Sequence, residues 1–137
     1  MHAADFITGL EPRGRLEDLL QAAACRPEVP LVLLGIDLIG LKRVNETEGF
    51  LAGDRLLAAA AARLAAATPT ADLRARLGGD ELVCVYTGPA AISAAAAARA
   101  ALQTGSGPPL RCGVVAASAA ETPPQLLQRL YAAIRAG

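Results

Sequence analysis

Ala71-Asp72-Leu73-Arg74-Ala75-Arg76-Leu77-Gly78-Gly79-Asp80-Glu81-Leu82-Val83-Cys84-Val85-Tyr86 is the stretch on which the fold turns. Apolar and polar residues alternate up to Leu77, and Leu82 to Tyr86 form an apolar run. Gly78-Gly79 between them therefore reads as a tight hairpin turn joining two strands. Asp80 and Glu81 at that turn would be held on rigid backbone. A Gly-Gly-Asp turn alone signifies only a hairpin, so its meaning depends on what lies upstream. There, Pro30 to Ile36 is a continuous apolar run suited to a buried central strand, and Asp37 stands where that run ends.

The chain has 137 residues, 53% of them hydrophobic and 19% charged, which suits one compact domain over residues 1–137. Lys and Arg number 13, as do Asp and Glu, so no basic field exists to hold nucleic acid by its backbone. No apolar run approaches the roughly 20 residues that cross a bilayer, which argues against a membrane partner. Cys25, Cys84 and Cys112 lack ligand-like spacing. They suit reduced thiols in a cytoplasmic protein and suggest no zinc site.

Outward from the hairpin, Leu16, Leu19, Leu20 and Ala23 mark a first helix between Pro12 and Pro27. Leu38 to Val44 and a polar stretch Asn45 to Gly49 follow the central strand, and a long helix is expected from about Leu51 to Ala67. After the hairpin come an alanine-rich helix from Gly88-Pro89 to about Gln103, a strand Leu110 to Val115, and a last helix opened by Pro123-Pro124. The expected order is α-β-α-β-β-α-β-α. It predicts an α/β fold with a mixed central sheet covered by helices, of the ferredoxin-like or polymerase-palm kind.

Several motifs agree in register with one family. Gly78-Gly79-Asp80-Glu81-Leu82 resembles the signature of GGDEF domains, the catalytic module of diguanylate cyclases, differing only at its last residue. Asp37 through Lys42 to Asn45, followed by Gly49 and Gly53-Asp54, resembles the family's D-x-D-x-F-K-x-I-N-D…G-H-x-x-G-D stretch. The opening Asp5-Phe6-Ile7-Thr8-Gly9-Leu10 resembles its D-x-L-T-G-L. The likeness runs from Asp5 to about Val115. Met1-His2 directly before it is the arrangement expected where an upstream region has been removed.

The resemblance implies condensation of two GTP into cyclic di-GMP with release of pyrophosphate, by a homodimer that uses Mg²⁺ and is controlled by a fused or separate sensory domain. It implies metal ligands at Asp37, the Leu38 carbonyl and Asp80, with Glu81 as a second essential acid. Asn45 and Asp54 would recognise the guanine edge, because a carboxylate accepts from both the ring N–H and the exocyclic amine, a donor pair that adenine lacks. Backbone amides of Ile39, Gly40 and Leu41, with Lys42 and the turn glycines Gly78 and Gly79, would cradle phosphates. Simpler roles stand beside these. Asp37, Asn45 or Asp54 could cap helices or turns, Asp80 could merely occupy a hairpin, and Lys42 could be a solvated surface charge.

The pattern also breaks. The family's last helix carries L-Y-x-A-K-x-x-G-R, whereas Leu130-Tyr131-Ala132-Ala133 here is followed by Ile134, and Lys42 is the sole lysine. Arg129 or Arg135 are the available stand-ins as phosphate donors. Leu41 and Leu82 replace aromatic residues, and Phe50 stands where a His is usual. The family's R-x-x-D product site reads Pro69-Thr70-Ala71-Asp72, without its arginine. These losses open an alternative, a degenerate module that binds GTP or a protein partner and regulates without turnover.

Overall fold

The computed structural model describes residues 3–137, so Met1 and His2 lie outside it. Its elements run α1 (Arg13–Ala24), β1 (Leu31–Leu38), α2 (Leu41–Glu48), α3 (Phe50–Ala67), β2 (Leu73–Arg76), β3 (Glu81–Thr87), α4 (Ala91–Thr104), β4 (Leu110–Ala116) and α5 (Pro123–Ala136). The strands stand in the order β2-β3-β1-β4, the split β-α-β arrangement of ferredoxin-like folds. Each neighbouring pair of these strands is antiparallel. Among the described residues, parallel pairing is confined to an isolated bridge between Glu11 and Ala75.

Alternation along β1 sorts its side chains between two cores. Val32, Leu34, Ile36 and Leu38 pack with Leu57 and Leu64 of α3 and Ala95 and Leu102 of α4. Leu33 faces the other way and packs with Leu16 and Leu20 of α1 and Leu130 and Ile134 of α5. Gly35 and Asp37 share that second face. In register, Gly35 lies between Val83 and Gly113, and Asp37 between Glu81 and Arg111.

The glycine pair brings α5 close. A Cβ on Gly113 would sit 2.4 Å from the Ile134 backbone nitrogen, and one on Gly35 would sit 2.6 Å from Ile134 Cδ1. The helix starts as its sequence predicts, with Pro123 in its first turn and a reciprocal capping box between Thr122 and Gln125.

One helix was not visible in the sequence. The expected order placed no helix between the central strand and the long helix, where Asn45 to Gly49 read only as a polar stretch, yet Leu41–Glu48 is helical. Only Leu41 of its residues is buried, so it shows no apolar stripe to read. Gly49, at φ 90°, turns the chain from α2 into α3 in a conformation that other residues rarely adopt.

Candidate functional site

The signature turn lies between the ends of β2 and β3. The hairpin is present, but its turn spans Leu77 to Asp80 rather than two glycines: the Leu77 and Gly78 amides both donate to the Glu81 carbonyl, at 2.8 and 3.3 Å. Neither Gly78 nor Gly79 has a positive φ. Gly78 does something different, since a Cβ there would lie 2.2 Å from Glu81 Oε1 and the tip of that side chain would have to move. The absent side chain is room for the Glu81 carboxylate.

Two arginines brace this turn from below. Arg76 donates through Nε to the Gly78 carbonyl at 3.2 Å and through Nη2 to that of Gly79 at 2.8 Å, while its Nη1 meets Asp5 at 3.2 Å. Asp5 also accepts from the Thr8 amide and hydroxyl, each at 2.8 Å. Burial raises the Asp5 carboxyl, but bonds from Thr8 and Arg76 outweigh it and hold the group below its ordinary value. Arg13 Nη1 reaches the Leu77 carbonyl at 3.3 Å. The opening motif thus serves as a foundation for the signature turn.

Beside the turn, the row Glu81, Asp37, Arg111 crosses the sheet end. The Leu38 amide donates to the Asp80 carbonyl at 3.0 Å, fixing the turn against β1. Burial, then the neighbouring Asp80 and Asp37 carboxylates, push Glu81 above its ordinary value, against the pull of Arg13 and Arg135. Asp80 makes no side-chain hydrogen bond or ion pair among the described residues.

Asp37 is 8% exposed and has a partner the sequence reading missed. Arg111 Nε and Nη2 donate to its Oδ1 and Oδ2, each at 3.0 Å, a bidentate fork across the β1–β4 pair. The fork ties the carboxylate to β4, while Asp37 still acts on the charge of Glu81 from the register position beside it. Asp37 therefore neither caps the following turn nor joins the hairpin acids around one point. Among the described residues no three His, Cys, Asp or Glu side chains form a metal-holding group. Hard oxygen donors are the right chemistry for Mg²⁺, but as arranged they do not fit it, because the charge of Asp37 is already met by a guanidinium that would crowd and repel a cation there. Arg111 was legible only as a charge inside an otherwise apolar strand; its register opposite Asp37 was not.

The expected phosphate loop is partly altered. The Ile39 amide is taken by the Pro109 carbonyl at 3.0 Å, so it is withdrawn from the cradle. Gly40, at φ 85°, leads into α2, whose internal ladder begins with the Val44 amide donating to the Gly40 carbonyl at 3.0 Å. Leu41, Lys42 and Arg43 thus form the open first turn of a helix. Lys42 is 90% exposed and lies 4.0 Å from Glu46.

The α2–α3 pair sets Asn45 against Gly53, the residue before Asp54 in α3. Asn45 packs so closely on α3 that a Cβ on Gly53 would lie 1.7 Å from its Oδ1. Asn45 and Asp54 are both half-buried, and neither side chain has a hydrogen bond or ion pair among the described residues. Neither caps a helix: Asn45 lies within α2, and the first turn of α3 holds no acidic residue. At the other end, Arg129 is committed to Glu121, at 2.5 and 2.7 Å, and to the Ala116 carbonyl at 2.6 Å. That removes it as a phosphate donor and leaves Arg135. Asp72, remnant of the product motif, accepts from the Thr87 amide at 2.7 Å and hydroxyl at 3.1 Å, a structural role.

A ferredoxin-like four-stranded sheet with an acidic hairpin beside a strand-end aspartate puts the chain in the class of antiparallel α/β domains whose acids gather at one sheet end. The chain belongs to the GGDEF family: the model described as "Diguanylate cyclase, GGDEF domain" matches residues 2–123. It is 43% identical over 84 residues to an uncharacterized signaling protein of Caulobacter vibrioides, covering 59% of this chain and 10% of that protein. To the bifunctional diguanylate cyclase/cyclic di-GMP phosphodiesterase MucR of Pseudomonas aeruginosa it is 42% identical over 82 residues, covering 58% of this chain and 12% of MucR. The chain thus spans about a tenth of the length of these curated relatives. Among solved structures, a sensory box/GGDEF family protein from Caulobacter crescentus superposes with TM-score 0.74 at 31% identity, covering 98% of this chain and 99% of that one. No helix among the described residues is long and apolar enough to cross a membrane.

Proposed function

We propose that this domain binds GTP as the nucleotide module of a cyclic di-GMP signalling protein. The observation that carries this is the α2–α3 pair, where Asn45, packed on α3 at Gly53, and Asp54, the next residue of that helix, are half-buried side chains with no bonding partner among the described residues. Half-buried polar groups left without partners are what a base edge requires. The triphosphate would extend from there over the first turn of α2, whose open amides favour anions, toward the turn acids. Lys42 and Arg135 are the cations available beside that path. Mg²⁺, which the family resemblance implies, has no ready seat at Asp37 while the Arg111 fork is closed.

Condensation needs two such sites facing across a two-fold axis, so the reaction belongs to a homodimer. In each half, a 3′-hydroxyl attacks the α-phosphate of the other nucleotide and pyrophosphate leaves. Glu81, held above its ordinary value, suits transfer of the hydroxyl proton. A second reading, regulation by GTP or a protein partner without turnover, is favoured by Arg129 being committed elsewhere and by α5 carrying no lysine. A sensory region and a cytoplasmic location accord with either.

Calorimetry with GTP and ATP tests the binding reading. GTP is expected to bind at least about tenfold tighter than ATP, with Asp54→Ala erasing the difference. Equal affinity for both nucleotides would reject it. Chromatography of a GTP and Mg²⁺ incubation then separates the two readings: cyclic di-GMP that rises with protein concentration and vanishes in Asp80→Ala marks turnover.

A further inference from the structure

We propose that Arg111 is a built-in counter-cation at Asp37, standing where a divalent ion would otherwise be held, so that this chain's site excludes metal until the guanidinium is displaced. Asp37 is buried to 8% exposure and is the acid that the family pattern assigns to the ion. Both of its oxygens accept from one guanidinium at 3.0 Å. A fork of this kind satisfies a carboxylate's charge and geometry together, which is the service a bound cation performs.

The neighbourhood agrees. Arg111 is bonded to Asp37 and lies also in the field of Asp80, the other expected ligand. The hairpin acids, in turn, gather with Asp37 into no metal-holding group among the described residues. An ion entering here must break the fork and leave Arg111 to solvent, which its 43% side-chain exposure permits. The guanidinium is thus a hinged plug rather than a buried fixture. Nucleotide phosphates are the natural displacing agent, since they offer Arg111 another bidentate partner while bringing the cation with them.

The inference rests on the nucleotide reading only for that last step, and Mn²⁺ alone tests the rest. Free Mn²⁺ is followed by electron paramagnetic resonance with the wild-type chain, Arg111→Gln, and Arg111→Gln combined with Asp37→Asn. The wild type is expected to bind Mn²⁺ weakly, Arg111→Gln at least about tenfold tighter, and the double variant to lose the gain. Arg111→Lys, which keeps the charge but not the fork, should fall between and serves if the Gln variant unfolds. A wild type that binds as tightly as Arg111→Gln, or a gain that survives Asp37→Asn, would overturn the proposal. GTP titration of the same proteins in a chelator keeps the two ideas apart. Failure to bind GTP would sink the nucleotide reading and leave the Mn²⁺ result intact.

Discussion

Asp54 has no side-chain hydrogen bond or ion pair among the described residues, so replacing it isolates its effect on a ligand. Asp54→Ala should leave the melting temperature nearly unchanged and weaken GTP by the worth of a charge-assisted pair, roughly 1.5–3 kcal/mol or about ten- to a hundredfold. Calorimetry beside a thermal melt measures both. Glu81 behaves differently, because burial and two neighbouring acids raise its carboxyl. A raised acid means the folded chain holds the proton more tightly than the unfolded one, so stability falls as pH climbs from the ordinary carboxylate range through the raised value. Glu81→Gln is therefore expected to stabilise the fold at neutral pH and to lose that advantage below the ordinary carboxylate range, as melts across pH would reveal. At this scale the sequence offered Asp37, Asn45, Asp54 and the hairpin acids as candidates through motif register. It did not show what they touch. The Asp37 to Arg111 fork joins residues on strands that are neighbours in space and 74 positions apart in the chain, a relation set by strand order alone.

Elements are held in place here by absent side chains. Gly113→Ala would thrust a methyl against α5 backbone at 2.4 Å, which cannot yield without moving the helix, whereas at Gly35 the obstacle is the tip of Ile134. Overpacking typically costs about 1–3 kcal/mol, and urea unfolding should find Gly113→Ala at or above the top of that range and Gly35→Ala below it. Gly53→Ala is subtler. Helix propensity favours Ala over Gly by roughly 1 kcal/mol, so α3 should persist, but Asn45 must swing away and GTP binding should fall with it. Proton linkage also acts on an element, since Asp5 is held below its ordinary value by Thr8 and Arg76. Its stabilisation of the signature turn is present at neutral pH and is lost as pH falls through the depressed value. Hydrogen exchange at Gly78 and Gly79 should accelerate there, and Arg76→Met should produce the same loosening at neutral pH. Strands and the longer helices were legible from apolar runs, alanine-rich composition and the Gly and Pro residues that bound them. Helix α2 was not, since a two-turn helix with one buried residue presents composition rather than pattern.

Across the whole molecule, the two faces of one sheet do different work. One core seats α3 and α4, and with them the α2–α3 nucleotide corner; the other seats α1 and α5, and with them the row Glu81, Asp37, Arg111. The proposed site lies where these faces meet at the sheet end, and motif register rather than composition or local propensity is what suggested it. Cyclic di-GMP formation, if this domain turns over, requires two such ends in apposition, so its rate per chain should climb with protein concentration. The most direct test of where GTP sits is a proton–nitrogen correlation spectrum of the labelled chain titrated with GTP and with ATP. Shifts at Leu41 to Asn45, Gly53 and Asp54, and Gly78 to Glu81 with GTP, and much smaller ones with ATP, are the expected outcome. Shifts of equal size for both nucleotides, or shifts confined to α4 and β4 away from these residues, would contradict a guanine site at this corner.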